Sequence, residues 1–272
     1  MKRFFLAGLA FSALIMPAMA ADMPLKALPP PPTWTGLYWG ANVGWIGSSQ
    51  YNITNTGTDT GNGGFGTALG LGAIPGTIPV SHSGFFGGGQ IGYNWQLPSQ
   101  WLIGLEADLQ GSGIKGSASQ TLSPALFDMT STGVTKSIDW FGTVRGRVGF
   151  LVTPQWLLYG TGGLAYGETK SSFTTTDLSF GCVPNATLCA NGASSGIRAG
   201  WTAGAGAEAM LAPNWSVKVE YLYVDLGGRS MNIPAFTLPA IAFSASTPFR
   251  EQIARVGLNY HFDWAGPVVA KY

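Results

Sequence analysis

Residues 101–110, WLIGLEADLQ, alternate between large apolar side chains and small, polar or charged ones. One face of this segment is apolar throughout and consists of Trp101, Ile103, Leu105, Ala107 and Leu109. The opposite face includes Gly104, Glu106, Asp108 and Gln110. A repeat of two residues is the signature of a β-strand whose faces meet different environments. We therefore predict a strand with one apolar face and one charged face.

The same alternation recurs in seven other segments of the chain. Together with the first, the predicted strands cover residues 37–45, 85–97, 101–110, 140–152, 156–168, 201–211, 215–223 and 254–262. Their apolar faces carry no charged side chain except Glu168, at the end of a strand. Because tilted strands of about 9 to 11 residues can cross a bilayer, all of these segments are candidate membrane strands.

The opposite faces of these strands carry four acidic and four basic residues: Glu106, Asp108, Glu208, Glu220, Arg145, Arg147, Lys218 and Arg255. These faces are also rich in glycine, and their balanced charge is unlike the surface of a soluble sandwich or barrel. A closed barrel pairs every backbone group and can turn its apolar face toward lipid. The predicted fold is all-β: an eight-stranded antiparallel up-and-down transmembrane β-barrel with short periplasmic turns and four long extracellular loops.

The composition agrees with a membrane protein that has no membrane helices. Charged residues make up 10% of the chain, against roughly 25% in soluble proteins. Beyond the N-terminus, no apolar run approaches the ~20 residues that a spanning helix needs. The 14 basic and 13 acidic residues nearly cancel, so no nucleic-acid partner is expected.

The N-terminal residues have the organisation of an export signal. Lys2 and Arg3 precede an apolar run over residues 4–16, and AMA at 18–20 supplies a cleavage site. Five prolines between residues 21 and 33 exclude a helix or a paired strand. The predicted organisation is a signal peptide at 1–20, a proline-rich periplasmic linker at 21–33, the outer-membrane barrel at 34–262 and a C-terminal extension at 263–272.

Three prolines are each followed within three residues by a tryptophan: Pro98 by Trp101, Pro154 by Trp156 and Pro213 by Trp215. Proline fixes φ and lacks a donor that a turn does not need. An indole at the first residue of a membrane strand lies at headgroup level, where amphipathic aromatic rings are favoured. We therefore expect short turns followed by an aromatic girdle. The alternative is three turn prolines beside tryptophans of an ordinary core.

The other connections are predicted to be long loops at 49–83, 111–138, 170–198 and 226–249. They are rich in Gly, Thr, Ser and Asn, which is typical of loops. The segments MTSTGVTKSI at 129–138 and KSSFTTTDLSF at 170–180 still alternate. These two segments are predicted to extend strands beyond the membrane.

Several segments resemble a known family when taken together: ADMPLK at 21–26, WTGLYWGANVGW at 34–45, FFGGGQIGYNWQ at 85–96, GLEADLQGS at 104–112, DWFGTVRGRVGF at 139–150, LLYGTGGLAYG at 157–167 and ARVGLNYHF at 254–262. This family is the small alphaproteobacterial outer-membrane proteins of the RopB type, within the OmpA-like barrel group. The resemblance implies an outer-membrane barrel that is often labelled a porin and is sometimes linked to surface antigenicity or haemin binding. The end of the last strand resembles the signal read by the barrel-assembly machinery, although the chain continues past Phe262.

The charged faces predict an ion network inside the barrel. The interior of an eight-stranded barrel is just wide enough for side chains to fill it. Buried charges need partners, so the four acids and four bases are expected to pair. Two interpretations remain open: a polar core that holds the strands together, or a narrow ion-selective path.

The two cysteines, Cys182 and Cys189, lie in CVPNATLC within the third long loop. A signal peptide implies an oxidising compartment, so a loop disulfide is predicted. A metal site would need further Cys or His residues close by in the sequence. No metal site and no cofactor are therefore predicted.

The chain contains two histidines, His82 and His261. Ser81 and Ser83 flank His82, but no orienting acid can be named for a catalytic set, so no enzyme is predicted. His82 is expected to be a loop residue or a haem-facing ligand, and His261 a hydrogen-bonded polar residue at the periplasmic end.

Three functions follow from this sequence. The first is a structural, surface-antigenic barrel of the cell envelope, embedded in outer-membrane lipids. The second is a low-conductance porin. The third is a receptor for haemin or another surface ligand, with candidate contacts at His82, Tyr51, Phe65, Phe173 and Phe180.

Overall fold

The computed structural model describes residues 33–47, 51–59, 70, 75–123, 129–178, 188–234 and 241–262. The signal peptide, all but the last residue of the linker, the C-terminal extension and both cysteine side chains fall outside this description, so those predictions stay predictions. The strands are β1 (Gly36–Gly47), β2 (Tyr51–Asp59), β3 (Thr77–Val80), β4 (Ser83–Gln96), β5 (Trp101–Leu122), β6 (Thr130–Thr153), β7 (Trp156–Asp177), β8 (Leu188–Ala212), β9 (Trp215–Pro234) and β10 (Ile241–His261).

Eight of these strands form a closed antiparallel ring. The order is β1, β4, β5, β6, β7, β8, β9 and β10, and β10 pairs with β1 to close the ring. The closing register runs from Tyr38↔His261 to Gly47↔Gln252. The predicted eight-stranded barrel is therefore confirmed, and closure leaves no free edge across this part of the sheet.

The strands β2 and β3 form a hairpin within the segment predicted as the first long loop. β10 continues beyond the end of β1, and β2 pairs with that free part, from Ile241↔Asp59 to Ser246↔Thr54. β3 then pairs with β2. A strand edge left open by a shorter neighbour can be covered in this way by a local hairpin.

The faces of the strands have the predicted inverted polarity. Trp39, Val43 and Val148 are 56%, 65% and 53% exposed, whereas Glu106 and Arg147 are 3% and 2% exposed. Apolar side chains thus form the outer surface, and the charged side chains point into the barrel. Among the described residues, no helix is both long enough and apolar enough to span a membrane.

Aromatic side chains form two belts around the outside. The inner girdle includes Trp95, Trp101, Phe150, Trp156, Trp215 and Tyr260, next to the short turns at 98–100, 154–155 and 213–214. The outer girdle includes Trp45, Phe85, Trp140, Tyr166, Trp201 and Tyr223. Trp101 pairs with Phe150 and Gly111 with Trp140, so ten residues separate the belts along β5. For tilted strands this separation is about 25 Å, the height of a barrel's apolar band.

The strands continue well beyond the outer girdle, so the connections are shorter than predicted. β5 and β6 remain paired as far as Leu122↔Thr130, and β6 and β7 as far as Thr130↔Asp177. This confirms the expectation that 129–138 and the start of 170–180 extend strands. A register shift between Ile138 and Trp140 marks a β-bulge in β6.

Candidate functional site

The inside of the barrel is filled by three layers of side chains. The inner apolar layer lies near the short turns: Trp34, Leu102, Leu151, Leu157, Tyr159 and Met210. The ion network is the set of eight predicted charges, all buried: Glu106, Asp108, Arg145, Arg147, Glu208, Lys218, Glu220 and Arg255. The outer apolar layer lies at the level of the outer girdle: Ile46, Phe86, Ile114, Ile138, Phe141, Ala165, Leu222, Val224, Leu226, Phe249 and Ile253.

Arg145 lies at the centre of the ion network. Its Nη2 donates to Asp108 Oδ2 at 2.9 Å and also to Glu106, and its Nη1 donates to Glu220 Oε1 at 3.0 Å. The Nε of Arg145 donates to Thr143 Oγ1 at 2.8 Å. One guanidinium thus ties three carboxylates on two strands, which suits the planar, multi-donor shape of arginine.

Glu106 also contacts the other cationic side chains of the network. Lys218 Nζ donates to both of its oxygens at 2.7 and 2.8 Å, and Arg255 Nη2 lies 3.1 Å from Oε1. Arg255 also reaches Asp108 Oδ2 at 3.0 Å and Glu220 Oε2 at 2.5 Å. Burial of ions is expensive unless their charges and hydrogen bonds are matched, and here they are matched across the barrel.

Arg147 links the network to the inner apolar layer. It donates from Nη2 to Glu208 Oε2 at 2.7 Å and from Nη1 to Tyr38 Oη at 2.9 Å. Its guanidinium also lies 4.1 Å from the ring centroid of Tyr159. Tyr38 Oη donates to Glu106 Oε2 at 2.6 Å, and Tyr159 Oη donates to Glu220 Oε1 at 3.0 Å.

The structure brings all eight predicted charges together, but sequence reasoning did not assign Tyr38 or Tyr159 to the network. Inward-facing glycines make room for these two rings. A Cβ at Gly92 would overlap the Tyr38 ring, and a Cβ at Gly206 would lie 2.6 Å from Tyr159 Oη. In the alternating pattern, Tyr38 and Tyr159 occupy strand positions whose side chains face inward, opposite glycines on the neighbouring strands. That pattern could have predicted their part in the network.

His261 is buried and hydrogen-bonded near the inner end of the barrel, as expected. Its Nε2 lies 2.8 Å from Ser216 Oγ, which donates to Glu208 Oε1 at 2.6 Å. This grouping differs from a hydrolytic triad because the carboxylate bonds to the serine and lies 3.6 Å from the same histidine nitrogen. Glu208 and Ser216 are also fully buried, so the grouping stabilises the inner end of the barrel.

His82 is a loop residue, as one of the two expectations had it, in the short connection between β3 and β4, and its side chain is buried inside the barrel mouth. Its Nε2 lies 2.6 Å from Glu251 Oε2, and Lys136 Nζ lies 3.7 Å from Glu251 Oε1. Phe173, another suggested haemin contact, is 1% exposed because it faces inward on β7. The other suggested contacts are outside the description: Phe65, Phe180 and the side chain of Tyr51.

The buried cluster of His82, Lys136 and Glu251 adjoins the outer apolar layer, because Glu251 lies between Phe249 and Ile253 on the inward face of β10. Lys136 Nζ also donates to Pro248 O at 2.8 Å and lies 4.0 Å from the ring centroid of Phe249. Burial lowers the pKa of Lys136 to about 8. The bulge in β6 explains why the sequence did not reveal this residue, since even-numbered residues face inward above Asp139 and odd-numbered ones below it.

Comparison with known proteins identifies this architecture. A family model described as "Outer membrane protein beta-barrel domain" matches residues 6–262. The chain belongs to this family. It is 36% identical over 270 residues to the 31 kDa outer-membrane immunogenic protein of Brucella melitensis, covering 96% of this chain and 100% of that protein. It is 30% identical over 245 residues to the 22 kDa outer membrane protein of Rhizobium leguminosarum bv. viciae, covering 89% of this chain and 83% of that protein.

The solved structure of the outer membrane protein OprG from Pseudomonas aeruginosa has the same fold. The TM-score is 0.50 at 11% identity, with 84% of this chain and 96% of that chain covered. The Brucella and Rhizobium relatives place the chain among small alphaproteobacterial outer-membrane proteins. The protein is therefore a surface-exposed β-barrel of the outer membrane, in contact with its lipids, and neither relative carries an enzyme name.

Proposed function

We propose that this barrel is closed to ions, and that it stabilises the envelope and presents the outer parts of its strands at the cell surface. The observation that supports this role is the filled interior. An ion network in which four acids meet four bases lies between two apolar layers. A network of this kind holds strands together, because each buried charge depends on partners from other strands.

A narrow porin is the alternative, and the apolar layers argue against it. Trp34 and Phe249 are fully buried at opposite ends of the interior, with 0% exposure each. Trp34 is anchored by its Nε1, which donates to Pro154 O at 3.0 Å. Hydrophobic constrictions exclude ions by dewetting, so both layers would have to open for conduction.

Planar bilayer recording tests this proposal. We expect the refolded wild-type protein to show no stepwise conductance at voltages that open a general porin inserted in the same bilayer. Folding of the sample is checked by its heat-dependent mobility on a gel. Reproducible unitary steps from folded protein would overturn the closed-barrel role and favour the porin.

We propose further that the protein neither catalyses a reaction nor binds haemin. His82 and Phe173, two of the suggested haemin contacts, are 4% and 1% exposed and face the barrel interior. The His261 grouping is equally buried and lacks the geometry of a triad. We expect no change in the Soret band when micromolar haem is titrated with folded protein, and a saturable shift would restore the receptor hypothesis.

The barrel-assembly machinery is the proposed partner during biogenesis. Tyr260 lies near the end of the last strand and Phe262 directly follows it, and their ring centroids lie 5.2 Å apart on the outer face. Phe262 N donates to Leu37 O at 2.9 Å, so this end also completes the pairing with β1. We expect Phe262→Ala to lower the amount of folded protein in the outer-membrane fraction, and an unchanged amount would contradict this partner.

A further inference from the structure

The outer face of β5 to β8 above the outer girdle carries an ordered array of short hydroxyl side chains. Cross-strand pairing places Ser117, Thr135, Ser172 and Ala193 in one row. The next row outward consists of Ser119, Gly133, Thr174 and Asn191. Two adjoining clefts of about 300 and 340 Å³ run over this face and share Thr135 and Ser172. The serine and threonine hydroxyls of this face can both donate and accept hydrogen bonds.

A row containing two lysines lies between this array and the membrane. It consists of Lys115, Ser137, Lys170 and Ser195, which pair across the four strands. We call it the lysine row. Lys115 is exposed, and the side chain of Lys170 is 47% exposed. The two lysines are two strands apart, or about 10 Å, so their ammonium groups can approach one anion from both sides.

Two carboxylates face the lysine row from the membrane side. Asp139, in the bulge of β6, lies 2.5 Å from Lys170 Nζ, and Glu168 Oε1 lies 3.7 Å from the same atom. Glu168 also accepts a hydrogen bond of 3.1 Å from Trp140 Nε1. An ammonium has three donors, so Lys170 keeps donors for a ligand after binding Asp139.

Apolar groups of the outer girdle lie on the membrane side of the lysine row, next to Asp139 and Glu168. Trp140 and Tyr166 of the outer girdle pack with centroids 6.2 Å apart, and Ile197 beside them is 70% exposed. Along the membrane normal, the order on this side of the barrel is therefore apolar, then charged, with Asp139 and Glu168 on the membrane side of the two lysines, then hydroxyl-rich. A phosphorylated glycolipid has its acyl chains, phosphate and sugars in the same order.

We propose that this face of β5 to β8 binds the phosphorylated sugar headgroup of an outer-leaflet glycolipid. A phosphate lies between Lys115 and Lys170, and sugar hydroxyls bond to the serine and threonine rows above. The acyl chains pack against Trp140 and Ile197. This proposal rests on the position of the girdles and does not depend on whether the barrel conducts.

The test compares variants of the full protein, refolded in neutral detergent, by native mass spectrometry. The probe is a lipopolysaccharide that lacks the distal polysaccharide, in phosphorylated and dephosphorylated forms, with phosphatidylglycerol as an anionic lipid without sugars. The variants are Lys170→Gln, Lys115→Gln/Lys170→Gln and Thr135→Val/Ser172→Ala. The control is Arg250→Gln, which breaks another surface ion pair, with Asp225, away from the lysine row. Heat-dependent gel mobility checks that every variant is folded.

We expect Lys170→Gln to weaken binding of the phosphorylated probe about fivefold and the double lysine variant roughly thirtyfold. Loss of two hydroxyls in Thr135→Val/Ser172→Ala is expected to cost about tenfold. Arg250→Gln should bind like the wild type, and dephosphorylation should remove the difference between the wild type and the lysine variants. Equal loss in Arg250→Gln, equally tight binding of phosphatidylglycerol, or unchanged binding by both double variants would overturn the proposal.

Discussion

The charged residues of the ion network depend on one another for their stability inside the barrel. Arg145 bonds to three carboxylates, and Glu106 is approached by four cationic side chains. Removing one partner from a buried pair leaves the others uncompensated, at a cost of about 3 to 5 kcal/mol. An exposed ion pair contributes only about 0 to 1 kcal/mol, since water screens both charges.

We predict that Arg145→Met lowers the free energy of unfolding by about 3 to 5 kcal/mol. The reason is that Asp108, Glu106 and Glu220 lose a shared donor. Urea titration of protein folded in lipid vesicles measures the change. Arg250→Gln, which removes an exposed pair with Asp225, should change it by less than about 1 kcal/mol. Equal effects of the two variants would contradict a structural role for the network.

Gly206→Ala is predicted to destabilise the barrel, because its Cβ would lie 2.6 Å from Tyr159 Oη and 2.7 Å from Val219 O. The ring would have to leave its hydrogen bond with Glu220, and overpacking of this kind costs about 1 to 3 kcal/mol. Gly160→Ala is the control, since its Cβ would have 3.9 Å of clearance on the outer face. Thermal unfolding followed by gel mobility should separate the two, and matching midpoints would show that the interior tolerates the methyl group.

The strand β6 shows how one element serves two environments. Below the bulge at Asp139 its odd-numbered residues, including Arg145, point inward. Above the bulge Lys136 and Ile138 point inward instead. A bulge inserts one residue and so exchanges the two faces of the strand. Alternation alone predicts each half of β6, but it does not show that the two halves belong to one strand.

The pH dependence of stability tests the burial of Lys136 in the outer part of β6. Burial lowers its pKa from 10.5 to about 8, so between these values the unfolded chain binds more protons than the folded protein. Stability contributed by this residue must therefore rise with pH across that window, by about 3 kcal/mol in total. The measurement is the difference in unfolding free energy between wild type and Lys136→Met at pH 8 and at pH 10.5. A difference that stays constant or falls with rising pH would contradict the burial.

The whole barrel is organised by inverted polarity and by layers. Apolar residues face the lipid between the two girdles, while the interior is apolar, then ionic, then apolar along its length. This arrangement meets two separate requirements. A charge that faces lipid is costly, and a buried charge is costly unless it is paired with an opposite charge. The arrangement also accounts for the low content of charged residues, at 10% of the chain.

A charge placed on the lipid-facing surface should be costly in proportion to its depth. Val144, 48% exposed and between the two girdle residues Trp140 and Phe150, is the test position. We predict that Val144→Arg destabilises the barrel by about 2 to 4 kcal/mol in vesicles. Ile197→Arg, at the level of the outer girdle, should cost about 0 to 1 kcal/mol. Equal costs at the two positions would place the membrane boundary elsewhere.

The sequence by itself determined the eight segments that cross the membrane, which face meets lipid and where the short turns lie. These features are local, because alternation, proline and tryptophan act within a few residues of each other. It also indicated which eight charges are interior. Only the tertiary structure decided which charges meet, since Arg145 and Glu220 lie 75 residues apart and their contact depends on ring closure and register. For the same reason, the sequence did not predict the β2–β3 hairpin, the inward position of His82 or the contacts of Tyr38 and Tyr159 with the network. Each of these features depends on neighbours that are distant in the chain.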